Sequence, residues 1–88
     1  MYSENILVTN KTGIHARPAV VFVQAVAKFK SNITVKKNDT TVSAKSIINI
    51  LALGIVKGDE LIISAEGDDE ELAVTELVKL VKTKFGEE

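Results

Sequence analysis

Two extended stretches in the middle of the chain, Asn32–Lys37 and Thr40–Ser43, are separated by only two residues, Asn38 and Asp39. A connection that short can pair strands only antiparallel, because a parallel return needs a dozen or more residues. Ile33 and Val35 alternate with polar neighbours, which gives the hairpin one face for a core. The rest of the chain must therefore build onto an antiparallel hairpin that already has an inside and an outside.

Two further alternating stretches supply partner strands. Residues 2 to 9 put Glu4, Ile6 and Val8 on one face and Asn5, Leu7 and Thr9 on the other. After the turn signal Lys57-Gly58-Asp59, residues Glu60 to Glu66 put Leu61, Ile63 and Ala65 on one face. Helical patterns lie between and after the strands. The first runs from about Ala16 to Phe29, with Val20, Val23, Val26 and Ala27 spread over a wide apolar surface. A short one, Ile47 to Ala52, follows Ser46 at an N-cap position and stops at Gly54. The last opens on Asp68, Asp69, Glu70 and Glu71 and closes on Lys79, Lys82 and Lys84 before Gly86, a distribution that complements the helix dipole. Val74, Leu77, Val78, Val81 and Phe85 form its buried stripe. The predicted order is β-α-β-β-α-β-α, an α+β fold with a four-stranded antiparallel sheet and three helices on one face. With 88 residues and no internal repeat or linker, 1–88 reads as a single domain.

Composition removes several function classes. The chain has no cysteine, so neither disulfides nor thiolate chemistry are available. A single histidine rules out a multi-histidine metal site, and the acidic run from Glu66 to Glu71 lacks the ligand spacing of a calcium loop. No metal and no cofactor are expected. A net charge of −1 argues against general nucleic-acid binding. No apolar run is long enough to insert in a membrane, and Met-Tyr-Ser-Glu-Asn lacks the regions of a signal peptide, so a cytoplasmic location is expected. Positive charge gathers in the first half, at Lys11, Arg17, Lys28, Lys30, Lys36, Lys37 and Lys45, where a basic face could attract an acidic partner. Ordinary solvation is the alternative for these lysines.

Chemistry concentrates in Gly13-Ile14-His15-Ala16-Arg17-Pro18-Ala19, just after the polar run Thr9-Asn10-Lys11-Thr12. The chain's one histidine, one arginine and one proline lie within four positions of each other there. Proline is tolerated in the first turn of a helix, so Pro18 marks a helix start with His15 at or just before the first free amides. Those amides and the positive end of the dipole suit an anion. Arg17 adds a permanent charge with a fork of donors that fits phosphate. Gly13 allows the bend into the turn. Free histidine titrates near about 6.5, and a helix N-terminus disfavours the imidazolium, leaving a neutral nucleophile. Phosphoryl transfer through His15 fits these features. Taken alone, they also fit a histidine that merely caps a helix or faces solvent.

The heptapeptide closely resembles the active-site segment of the HPr family, the histidine-containing phosphocarriers of the phosphoenolpyruvate-dependent sugar phosphotransferase system. The resemblance continues through Ala44-Lys45-Ser46-Ile47-Ile48 and Leu53-Gly54 and covers essentially the whole chain. It implies four antiparallel strands under three helices. It implies a monomeric carrier, not an enzyme in the usual sense, whose His15 Nδ1 takes a phosphoryl group from enzyme I and passes it to the A component of a sugar-specific enzyme II. Arg17 would assist, and the backbone around Ala16, Arg17 and Pro18 would hold the phosphoryl oxygens. Val20, Gln24 and Ala27, with Ile47, Ile48 and Leu51, would form the docking surface, although the residues of the first helix could equally be core. Ser46 resembles the regulatory site of an ATP-dependent HPr kinase/phosphorylase, whose product acts with a catabolite control protein. Ile48 and Leu51 stand where many relatives carry methionine, and Asn49 and Ala52 where glycine and serine are frequent. These departures keep an apolar patch but bear on the regulatory partners. A regulatory module acting mainly through Ser46, or a carrier in a non-sugar relay, are the other readings.

Overall fold

A computed structural model describes residues 1–11 and 13–86. Thr12, the last residue of the polar run, lies outside them. Four strands, β1 (Tyr2–Leu7), β2 (Asn32–Lys37), β3 (Thr40–Ser43) and β4 (Glu60–Glu66), form one sheet in the order β1-β4-β2-β3. Three helices, α1 (Ala16–Val26), α2 (Ile47–Ala52) and α3 (Glu70–Lys82), complete the expected sequence of elements. β4 pairs antiparallel with both β1 and β2, so those two strands are parallel to each other with β4 between them. β2 likewise separates β3 from β4. The fold is two interleaved split β-α-β units, one carrying α1 and the other α2.

The sheet's alternation sorts its faces as expected. Ile6, Ile33, Val35, Leu61, Ile63 and Ala65 are buried beneath the helices, which return Phe22 and Val26 from α1, Ile50 from α2, and Val74, Leu77 and Val81 from α3. The opposite face is mostly polar, with Leu7 and Ile62 as apolar members. Ser3, Ser64, Thr34 and Ser43 lie side by side across four strands, with Ser3 and Ser64 hydroxyls 2.7 Å apart. Asn38 takes φ 55° between β2 and β3, a conformation asparagine accepts more readily than most residues.

Three boundaries differ from expectation. α1 ends at Val26 rather than near Phe29, because the amides of Lys28 and Phe29 turn back to Ala25 and Val26, three residues behind, and tighten the final turn. β1 ends at Leu7, yet Val8 still exchanges bonds with Asp59 and Gly58 at 2.9 and 2.8 Å. α3 ends at Lys82, so Lys84 lies past the helix, and Phe85 reaches the core through a left-handed turn with φ near 58° at both residues.

The start of α3 is tied to the start of β2 by one carboxylate. Asp69 accepts from the amides of Lys30 (2.9 Å) and Ser31 (3.0 Å) and from the Ser31 hydroxyl. The Ser31 hydroxyl, followed by the Lys30 amide, holds its carboxyl below the ordinary 3.8. A carboxyl whose folded pKa is depressed contributes stability above the ordinary value and loses it as pH falls through the folded value. Asp69→Ala is therefore expected to lower the urea midpoint at pH 7. Its deficit relative to the parent should shrink as pH falls from the ordinary carboxyl value through the lower folded value, where the parent's own carboxylate protonates.

Candidate functional site

His15 is the N-cap of α1, with extended backbone angles (φ −99°, ψ −155°) and an exposed side chain that makes no capping bond. The first bond of the helix ladder runs from Ala19 N–H to His15 carbonyl at 2.9 Å. Three residues precede it in the helix: Ala16, Arg17 and Pro18. Proline has no N–H, so the first turn is left with the two amides of Ala16 and Arg17 beside the imidazole. Pro18 thus sits at the third helical position, within the first turn as expected, and is buried. Arg17 is exposed.

The approach to His15 is held from two sides. Asn10, wholly buried, accepts the Gly13 amide on its carbonyl at 3.1 Å and donates its side-chain amide to the Gly13 carbonyl. Ile14, also buried, donates its amide to the Ile55 carbonyl at 3.0 Å. Gly13 has φ +63°, and a Cβ there would collide with the Ile55 carbonyl and lie 2.6 Å from Val56 Cα. Only glycine allows the two backbones to lie this close. The 53–59 loop after α2 is therefore the bed on which the histidine turn rests. Asn10 and this loop escaped the sequence reading. An asparagine three residues before a glycine was the one available signal.

The other expected residues divide between two helices. α1 presents Val20 (39% exposed), Gln24 and Ala27, and α2 presents Ile48 (74%) and Leu51 (40%), while Ile47 is half-buried against the core. α1 and α2 pack against each other. Beside Ala27 a hollow of about 320 Å³ is lined by Val23, Phe29 and Lys45. Ser46 caps α2 through its hydroxyl, which accepts the Asn49 amide at 3.2 Å. It stands at the end of α2 away from the 53–59 loop. Six residues of helix, about 9 Å of rise, separate Ser46 from the loop beneath Ile14.

The expected basic face is only partly assembled. Lys36 projects from the polar face of the sheet, opposite the helices, and Lys37 is turned inward onto the 53–59 loop. Among the described residues no cluster of histidine and carboxylate side chains could hold a metal, and no helix is long and apolar enough to cross a membrane.

An exposed imidazole at a helix start, followed by two residues whose amides lie outside the helix ladder, the second of them an exposed arginine, fits a histidine phosphoryl carrier. A family model described as the PTS HPr component phosphorylation site matches residues 2–83. The phosphocarrier protein HPr of Haemophilus influenzae is 41% identical over 83 residues, covering 94% of this chain and 98% of that protein. A solved structure of HPr from Thermoanaerobacter tengcongensis superposes with TM-score 0.96 at 52% identity, covering 100% of this chain and 99% of that one. A second structure of HPr from that organism, described as a dimer, has TM-score 0.79 at 54% identity and covers 93% and 94%. The chain belongs to the HPr family of phosphotransferase-system phosphocarriers. It is a carrier of the phosphoryl group and not an enzyme.

The cap at Ser46 has a consequence that needs no phosphorylation. Ser46→Ala leaves the Asn49 amide without its acceptor and should cost about 1 kcal/mol. The urea midpoint should fall while the slope of the transition is unchanged, and Ser46→Asp, which keeps a capping oxygen, should recover most of the loss.

Proposed function

We propose that this chain accepts a phosphoryl group on His15 from phosphorylated enzyme I and passes it to the A component of a sugar-specific enzyme II. The observation that carries the proposal is the solvent-facing imidazole at the N-cap of α1, next to the unladdered amides of Ala16 and Arg17. In the transfer, Nδ1 of His15 forms a bond to phosphorus as the bond to the donor breaks. The three phosphoryl oxygens carry the charge, and two amides with the Arg17 guanidinium supply donors without reorganisation. The reverse exchange needs the same groups, so one site serves acceptance and donation. Pro18 contributes by lacking an N–H, which confines the donors to the two residues next to the ring.

The surface made by Val20, Gln24, Ala27, Ile47, Ile48 and Leu51 is the docking site for both partners in this reading. Its exposed apolar area beside His15 supports that role. Ser46, at the far end of α2, is the regulatory phosphorylation site, acted on by an HPr kinase/phosphorylase and read by a catabolite control protein. A phosphate there suits the start of a helix and places near-dianionic charge on the border of the docking surface. The active form is a monomer of one domain, residues 1–88, in the cytoplasm.

Incubation with enzyme I and phosphoenolpyruvate tests the carrier role. An acid-labile, base-stable phosphoryl group should appear on the folded parent and be absent from His15→Ala. A parent that stays unmodified would overturn the proposal. With kinase and ATP, Ser46→Ala should take up no phosphate, and uptake equal to the parent's would place the regulatory site elsewhere.

A further inference from the structure

Lys37 is the last residue of β2, where a lysine would ordinarily point to solvent. Here its ammonium is drawn into the fold, with the side chain 19% exposed. Nζ donates to the carbonyls of Leu53 (3.2 Å) and Gly54 (2.8 Å) and pairs with Asp59 Oδ2 at 2.9 Å. An ammonium has three protons, and these three acceptors use all of them. Two of the acceptors are main-chain carbonyls at the C-terminal end of α2, where a cation is favoured. The third, Asp59 Oδ2, also accepts the Val56 amide at 2.8 Å. One ammonium and one carboxylate therefore clamp both ends of the 53–59 loop. Ile55, between them, provides the carbonyl that takes the Ile14 amide, and with Val56 it forms the floor under Gly13.

We propose that Lys37, acting with Asp59, is a positioning residue for the phosphoryl-acceptor turn: it fixes the 53–59 loop, and through the Ile14–Ile55 hydrogen bond it fixes the amides of Ala16 and Arg17 against His15. The path runs from the end of β2 to the start of α1 through four contacts, each between 2.8 and 3.0 Å. The described bonds of Lys37 go to Leu53, Gly54 and Asp59, and none of them reaches His15 or a residue of the docking surface. Its influence belongs in the rate of transfer and not in the affinity for a partner. The inference rests on the carrier role of His15 for its kinetic consequence, whereas the structural part stands without it.

The test uses the full chain with Lys37→Met, which keeps the stem but removes the three donors, Lys37→Arg, which restores charge and donors, and Asp59→Asn. Enzyme I transfer is measured with each folded variant as the varied substrate, and backbone amide spectra are recorded without any enzyme. Lys37→Met is expected to lower kcat about 10-fold with KM changed less than about two-fold, since small misplacements of reacting groups carry penalties of that order. The amide resonances of Ile14, Ala16 and Arg17 should shift, Lys37→Arg should recover most of the rate, and Asp59→Asn should lie between. An unchanged kcat with unmoved amides at 14–17 overturns the proposal. So does a raised KM at constant kcat that disappears at high salt, which would make Lys37 a docking charge. If Lys37→Met does not fold, Asp59→Asn decides by the same two readouts. Should the parent itself take no phosphoryl group, the carrier reading fails and the amide shifts alone decide the positioning claim.

Discussion

One hydrogen bond, from the Ile14 amide to the Ile55 carbonyl, holds the two halves of this molecule's chemistry together. On one side of it lies the β1–α1 connection with His15. On the other lies the α2–β4 connection, clamped by Lys37 and Asp59. Each is the crossover of a different split β-α-β unit, and the interleaving of the two units brings them to the same end of the sheet. Gly13 makes the contact possible, because any larger residue would meet the Ile55 carbonyl before the hydrogen bond could form. A helix start in isolation would expose its amides in many orientations. Here its direction is set by a second backbone, which is itself tied down by charged groups. That is how a small sheet-and-helix domain supplies a rigid mount for a group that must be accessible.

His15 and Ser46 each precede a helix, yet their surroundings diverge. The His15 side chain makes no capping bond and is free to react, whereas the Ser46 hydroxyl is engaged as a cap by the Asn49 amide. Between them runs the apolar surface of α1 and α2.

Much of this was legible in the sequence. The hairpin of β2 and β3, the alternation of Leu61, Ile63 and Ala65, and the stripe from Val74 to Val81 specify their faces by periodicity alone, and the structure keeps each of them. The heptapeptide from Gly13 to Ala19 points to the site through its resemblance to the HPr active-site segment, since its residues taken alone also fit a histidine that caps a helix or faces solvent. What stayed hidden depends on contacts between distant segments. Lys37 reads as a solvent-facing strand residue, and nothing local shows that three acceptors from 16 to 22 positions on will gather around it. Buried Asn10 and the left-handed turn that carries Phe85 into the core are of the same kind. Periodicity reports which face a side chain belongs to, but not which backbone will lie across it.

The most direct test of the account concerns the two amides beside His15. With the chain labelled in nitrogen-15, His15 is phosphorylated and amide proton shifts are compared before and after. Charge-assisted bonds to phosphoryl oxygens should move the Ala16 and Arg17 protons downfield, further than any amide outside residues 14–19. If the ring nitrogen shows the new bond to phosphorus while those two amides stay where they were, the phosphoryl group is not held by the start of α1, and the central claim is wrong.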